Sequence, residues 1–275
     1  MSGGREHLGI NLAVFAAAGQ LGAALSPLYA VGLIRVIGVP MLPCALVFVI
    51  AVILIARNML PARFVDEDRR VKSSKSGGES TPLMLRRVMW ICLPITLIAM
   101  VRDATSQAIR VFLPLLVTGR GGSIEAGGTM LFAFTVMGTI SNLIGGKLAD
   151  MFGKKTIIFI MLALSPMFIF PAINARGWLS FVLFSLGGAC IAATSPVTIA
   201  MAQERVPESR SMASSLVMGV SWGIANIAAS PIGKVADHIG LELTLSFVAL
   251  APLAVAAAMI PGGIAEWKLR KTLIK

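Results

Sequence analysis

Apolar runs long enough to cross a bilayer recur along the whole chain, separated by shorter polar segments. They predict eight membrane-spanning helices at about residues 9–34, 39–56, 88–117, 124–149, 156–173, 178–202, 212–236 and 241–264. About 20 apolar residues cross ~30 Å of hydrocarbon. A helix satisfies all of its own backbone hydrogen bonds in lipid. We therefore expect an all-α polytopic membrane protein, embedded in a lipid bilayer.

Composition supports the membrane assignment and argues against an enzyme. Of the 275 residues, 56% are hydrophobic and only 13% are charged. Cys44, Cys92 and Cys190 lie inside apolar runs and lack metal-ligand spacing, so we interpret them as packing residues. The sequence shows no catalytic Ser-His-Asp set and no phosphate-binding loop. We expect a protein without enzymatic activity and without a metal or other cofactor.

The basic residues indicate how the helices are oriented. The net charge is +11, and most bases lie at the two termini, in residues 57–87 and after the fourth and sixth runs. If the spans alternate in direction, all these segments share one side of the membrane. The opposite side holds only Arg35, Arg120, Arg176 and Lys234. The positive-inside rule then places both termini in the cytoplasm. We expect the protein in the cell (inner or plasma) membrane. The charge is a topology signal, so we expect no nucleic-acid partner.

The connection between the fourth and fifth runs, Gly145–Lys155, reads GGKLADMFGKK. It resembles the short loop signature of the major facilitator superfamily, although Met151 stands where that signature has a base. The resemblance implies that Asp150 latches neighbouring helix ends on the cytoplasmic side. An ordinary basic loop of another membrane protein is the alternative. The candidate gating residues are Gly146, Asp150, Gly153, Lys154 and Lys155.

Asp150 needs a positive partner, because the carboxyl end of its own helix is the negative pole of the helix dipole. Candidates are Lys154, Lys155 and the start of the seventh span with Arg210. A related string, GKVADHIG at Gly233–Gly240, repeats part of the pattern. Alternation of the spans places that string outside the cell, so we assign it no gating role.

The first and seventh spans share residues at matching positions. Leu12, Gly19, Ala24, Ser26 and Pro27 match Leu216, Gly223, Ala228, Ser230 and Pro231. Shared membrane composition could produce such matches, but a repeat six spans apart is the layout of the six-plus-six facilitator fold. We then expect residues 88–275 to form a complete C-terminal bundle. Residues 1–56 would be the last two spans of an N-terminal bundle whose first four spans are missing, and residues 57–87 a cytoplasmic linker.

Two further stretches resemble one branch of the superfamily. Arg205–Gly240 resembles the fosmidomycin-resistance type of efflux protein, and Gly19–Leu28 resembles the fifth span of that branch. Drug–proton antiporters carry a glycine before the proline at this point, whereas this chain has Ser26 before Pro27. Coupling to protons therefore stays open.

The third span carries charge near its middle, where each charged side chain costs roughly 2.5–3.5 kcal/mol unless it has a partner or a wet cavity. Asp103, Gln107 and Arg110 share one helix face, with Arg102 beside it. Either Arg102 attracts an anionic or polar solute and Asp103 acts as its counter-ion or as a proton-linked acid, or the group is a structural ion network. Asn226 in the seventh span could line the same cavity or only bind a neighbouring helix. The candidate pathway residues are Arg102, Asp103, Gln107, Arg110 and Asn226.

These observations predict a secondary active transporter that works by alternating access, with efflux of a small drug-like or polar solute. Two alternatives remain. The chain could be a truncated or split transporter that is inactive alone or needs a partner subunit. It could also be an uptake carrier for an organic anion.

Overall fold

The structure, a computed structural model, describes residues 81–273, with side chains for 84–259, and seven isolated positions before them. The first two predicted spans, residues 9–34 and 39–56, lie outside this continuous range, as does most of the predicted linker. Within it the chain forms six long helices. They are α1 (Thr81–Gly119), α2 (Ile124–Phe152), α3 (Lys154–Asn174), α4 (Gly177–Arg205), α5 (Arg210–Ile239) and α6 (Leu241–Leu273), with a short 3-10 turn at Pro207–Ser209.

Each of these six helices is long and apolar enough to cross a membrane. They correspond one for one to the third to eighth predicted spans. The all-helical expectation is confirmed for this part of the chain, while the count of eight rests on two spans that the structure does not describe. From Val88 onward the six helices belong to one compact unit.

Helix ends differ from the predicted span ends, most clearly at the hairpin between α2 and α3. The apolar runs predicted an eleven-residue connection, and this prediction is wrong, because only Gly153 separates the two helices. Hydropathy marks where a helix leaves the hydrocarbon, whereas the helix continues for as long as its backbone bonds are made. Gly153 has φ +91°, and its N–H donates to the carbonyl of Ala149 at 2.9 Å. A glycine adopts this conformation without strain.

Helices α2 and α4 approach closely along a seam of small residues. A Cβ added to Gly145 would lie 2.2 Å from the carbonyl oxygen of Ala193, and one added to Gly188 would lie 2.7 Å from the ring of Phe134. Small residues at helix interfaces allow such approach in membranes. The close contact falls at Gly145, whereas a Cβ on Gly146 would meet no atom within 4 Å.

The bundle contains an internal three-helix repeat that the sequence comparison between spans one and seven does not reveal. The strings GKLADMFG (Gly146–Gly153) and GKVADHIG (Gly233–Gly240) close α2 and α5 in the same way. Gly240 has φ +90°, close to that of Gly153, and its N–H donates to the carbonyl of Ala236 at 3.0 Å. Because three helices separate them, the two hairpins lie at opposite ends of the bundle. This arrangement is an inverted repeat of α1–α3 and α4–α6.

The seam between α2 and α4 yields a paired prediction. Gly145→Ala forces α2 away from Ala193, and overpacking of this kind costs about 1–3 kcal/mol. In Gly146→Ala, one residue away, the new methyl group meets open space. Replacement of a glycine inside a helix by alanine should stabilise the helix by up to about 1 kcal/mol. Thermal unfolding of the two purified variants is monitored by size-exclusion chromatography of heated samples. The unfolding midpoint should fall below that of the unchanged protein only for Gly145→Ala. Equal midpoints would contradict the close approach.

Candidate functional site

A polar cavity of about 230 Å³ lies among α1, α2, α4 and α5. It sits at the middle of α1, where the side chains of 102–110 are partly withdrawn from the surface. The structure brings all five predicted pathway residues to this one cavity. Its polar lining consists of Arg102, Asp103, Ser106, Gln107, Arg110, Asn142, Ser195, Trp222 and Asn226.

Each of the three guanidinium nitrogens of Arg102 donates a hydrogen bond to a neighbour. Its Nε and Nη2 donate to the two carboxylate oxygens of Asp103 at 2.9 Å each, and its Nη1 donates to Oγ1 of Thr198 at 2.9 Å. Successive residues of a helix do not face each other, so the long arginine side chain must fold back to reach Asp103. Arg102 is 3% exposed. The pair therefore neutralises itself inside the bundle and ties α1 to α4.

Asp103 has a third partner, Ser221 of α5. The hydroxyl of Ser221 lies 2.6 Å from Oδ2 of Asp103 and 2.6 Å from the carbonyl oxygen of Val217. Since a hydroxyl has one proton, it donates to one of these acceptors at a time. Ser221 and Thr198 are both buried, and sequence reasoning missed both as partners. Nothing in the sequence separates them from the other small polar residues that bond to their own helix backbone.

Gln107 and Asn226 form a second polar link between α1 and α5. The Nε2 of Gln107 donates to Oδ1 of Asn226 at 2.9 Å, and Nδ2 of Asn226 donates to the carbonyl of Trp222 at 2.8 Å. Trp222 and Asn226 are exposed on α5. Amide groups therefore line the open side of the cavity, and the ion pair lies deeper.

Arg110 and Asn142 complete the polar lining. Among the described residues, Arg110 makes no hydrogen bond or ion pair, and its buried Nε has no partner. The buried Oδ1 of Asn142 also has none. Asp103 attracts Arg110 electrostatically, without a hydrogen bond or an ion pair between them.

The predicted gating residues lie around the turn at Gly153, but the ion pair there differs from the expected one. Asp150 is exposed in the last turn of α2 and forms no hydrogen bond or ion pair within the part of the chain that the structure describes. Lys154 contacts Glu204 at the end of α4 instead. Lys155 is exposed in the first turn of α3, and Gly146 lies within α2. The latch role of Asp150 stays a prediction.

At the opposite end of the bundle, Arg120 joins three helix ends. Its Nε donates to Oε1 of Glu242 at 2.7 Å, its Nη1 donates to the carbonyl of Ala175 at 3.1 Å, and its Nη2 donates to the carbonyl of Ile173. A cation is favourable at the carboxyl end of a helix, here α3. In the inverted repeat, Arg120 after α1 corresponds to Glu204 at the end of α4, and Glu242 at the start of α6 corresponds to Lys154 at the start of α3. The charges of the two ion pairs are therefore reversed.

The fold and the site together define a helical integral membrane protein with a charged cavity inside its bundle. The sequence profile of the Major Facilitator Superfamily matches residues 3–211 and, in a second alignment, 95–270. The chain therefore belongs to the Major Facilitator Superfamily, whose members carry small-molecule solutes across membranes.

Three curated relatives are similar over part of their length. The fosmidomycin resistance protein of Escherichia coli (strain K12) is 26% identical over 92% of this chain and 62% of its own. The uncharacterized MFS-type transporter YfnC of Bacillus subtilis (strain 168) is 31% identical over 53% of this chain and 36% of its own. YqjV of the same organism is 26% identical over 46% of this chain and 30% of its own. The chain thus spans less than two thirds of the length of these relatives.

The contacts of Arg120 yield a prediction with an internal control. Arg120→Ala leaves two helix-end carbonyls and Glu242 without their partner, and hydrogen bonds to a charged group contribute about 1.5–3 kcal/mol. The unfolding midpoint of the purified protein should therefore fall. Arg176→Ala removes an equally basic side chain that is exposed next to the same helix end, and should leave the midpoint unchanged. A midpoint for Arg120→Ala that equals that of Arg176→Ala would show that the contacts carry no stability.

Proposed function

We propose that the chain acts in a secondary active carrier that moves a small drug-like or polar solute by alternating access, with efflux as its direction. One observation carries this proposal: a cluster of charged and amide side chains surrounds a cavity at the middle of a membrane-length helix. Charged groups in such positions are costly, and they mark solute and ion pathways. The name of the E. coli relative, a resistance protein, supports efflux.

Within this proposal the amide residues and the ion pair of the pathway have distinct roles. Gln107 and Asn226 contact the solute from the open side of the cavity. Asp103 is the acid through which a proton gradient could act, because protonation would weaken its bonds to Arg102. A change at Asp103 would also reach Ser221, so it would alter how α1 is held against both α4 and α5. Coupling of this kind links the charge of the cavity to the packing of the helices.

We also propose that the turn at Gly153 faces the cytoplasm, as do both termini. The contact between Lys154 and Glu204 holds the ends of α3 and α4 together there. The exposed carboxylate of Asp150 would then latch a neighbouring helix end when the cytoplasmic side closes, with Gly146 and Lys155 at the same edge. The basic residues around this turn and the positive-inside rule support the orientation.

Transport by variants of the ion pair tests the proposed function. Cells that express the chain should accumulate less fosmidomycin than control cells, and Asp103→Asn should abolish this difference while the protein still inserts. Removal of one partner of a buried pair costs about 3–5 kcal/mol, so the double variant Arg102→Gln/Asp103→Asn, which leaves neither member of the pair as an unpaired charge, is measured as well.

Asp237→Asn is the control, because it makes the same change at an exposed acid in the last turn of α5, outside the residues that line the cavity. It should transport as the unchanged protein does. Accumulation of fosmidomycin equal to that of control cells would count against this solute. Unchanged transport by the variants of both Arg102 and Asp103 would overturn the assignment of the pathway. Flux into inside-out vesicles with an imposed pH gradient separates export from uptake.

A further inference from the structure

We propose that Arg110 and Asn142, rather than Arg102, form the recognition point of the cavity. This point binds an oxyanion group of the solute, such as a carboxylate or a phosphonate, that carries a hydrogen-bond donor beside it. The inference rests on the proposed function of the cavity as a solute site. It goes further by naming the chemical class of the solute and the residues that select it.

The charges around the cavity give the first argument. Among the residues described at its lining, three are charged: Arg102, Asp103 and Arg110. The carboxylate of Asp103 accepts two hydrogen bonds from Arg102 at 2.9 Å and faces Ser221 at 2.6 Å. The first two charges therefore cancel at contact distance. One positive charge, that of Arg110, remains in the cavity, and an anionic group would balance it.

The available donors give the second argument. Arg102 is 3% exposed and uses its Nε, Nη1 and Nη2 within the bundle. Arg110 uses none of its donors on the residues that the structure describes, and its Nε is buried without a partner. A guanidinium has five N–H donors and no acceptor. Its planar fork matches a carboxylate or a phosphonate through two parallel hydrogen bonds. Arg110 is therefore the better placed arginine, because it is less buried than Arg102 and its whole fork can turn to an oxyanion without breaking a contact.

Asn142 supplies the complementary group. It lies on α2, across the cavity from α1, and its buried Oδ1 has no partner. An amide oxygen accepts hydrogen bonds, so it selects a donor on the solute. A site that pairs a guanidinium with an amide oxygen favours an acid whose neighbouring atom bears a proton. It disfavours a neutral solute, which leaves the guanidinium unpaired, and a cation, which the guanidinium repels.

The size of the cavity limits what it can hold. Ligand pockets commonly measure about 300–1,000 Å³, and this cavity measures about 230 Å³. It suits a small acid, or the acidic end of a larger solute that extends past Trp222 on the open side. The exposure of Trp222 and Asn226 leaves room for such an extension.

Binding of two matched probes tests the recognition point. Benzoate and benzamide have the same shape and differ in charge, and each is titrated against the 275-residue chain in lipid nanodiscs by calorimetry. The unchanged protein should bind benzoate at least about tenfold more tightly, the ratio expected for one charge-assisted contact. Arg110→Gln should abolish this preference, and Arg110→Lys should restore part of it. The double variant Arg102→Gln/Asp103→Asn keeps the cavity's charge and should keep the preference.

Asn142 is tested with a probe that carries a donor. Phenylphosphonate at mildly acidic pH keeps one P–OH beside its anionic oxygen, whereas benzoate has none. Asn142→Ala should weaken the binding of phenylphosphonate and leave that of benzoate unchanged. Equal weakening of both probes would show that Asn142 only shapes the cavity.

The outcomes separate this inference from the proposed function. A preference for benzoate that survives Arg110→Gln, or that disappears in the double variant at Arg102 and Asp103, would overturn the assignment of Arg110. Absence of any preference in the unchanged protein would overturn the anionic class. In each of these cases transport could still depend on Asp103, and the proposed function would stand. Loss of binding in Arg110→Gln together with normal transport by variants of Asp103 would support the recognition point and contradict the pathway role of Asp103.

Discussion

The structure depends on one constraint, which is that a charge inside a membrane bundle needs either a partner or a wet cavity. The ion pair between Arg102 and Asp103 meets this constraint, and each partner also binds a different helix, through Thr198 of α4 and Ser221 of α5. Three helices are thereby fixed around one carboxylate. The same pair also sets the charge of the cavity. It neutralises Arg102 and leaves Arg110 as the lining arginine without a hydrogen-bonded partner among the described residues.

Around this pair, close backbone approach and contacts at helix ends add to the hydrophobic packing of the bundle. Gly145 and Gly188 let α2 and α4 approach closely. The turns at Gly153 and Gly240 repeat the same backbone geometry at opposite ends of the bundle. Among residues 84–259, an ion pair also joins helix ends at each end of the bundle, Lys154 with Glu204 and Arg120 with Glu242. The inverted repeat thus preserves the position of these contacts while it reverses their charges.

The sequence predicted the six described helices because bilayer thickness sets a minimum apolar length, and this signal is strong in every run. It also predicted which residues of the third span share a face, since the helical period is fixed. It failed where tertiary partners decide. The contact of Arg102 with the adjacent Asp103, the partner of Lys154, and the contacts of Ser221 and Thr198 depend on which helices are neighbours. Helix ends were missed because hydropathy reports the membrane boundary and not the end of the hydrogen-bonded backbone.

Access to the cavity from the two faces of the membrane tests the central claim most directly. Ser106 lines the cavity and makes no side-chain hydrogen bond to the residues that the structure describes. A single cysteine is placed there with Cys44, Cys92 and Cys190 replaced, and a membrane-impermeant maleimide is added to right-side-out and to inside-out vesicles. A cavity that opens alternately predicts modification from both faces. Modification from one face only, or from neither, would contradict alternating access at this site.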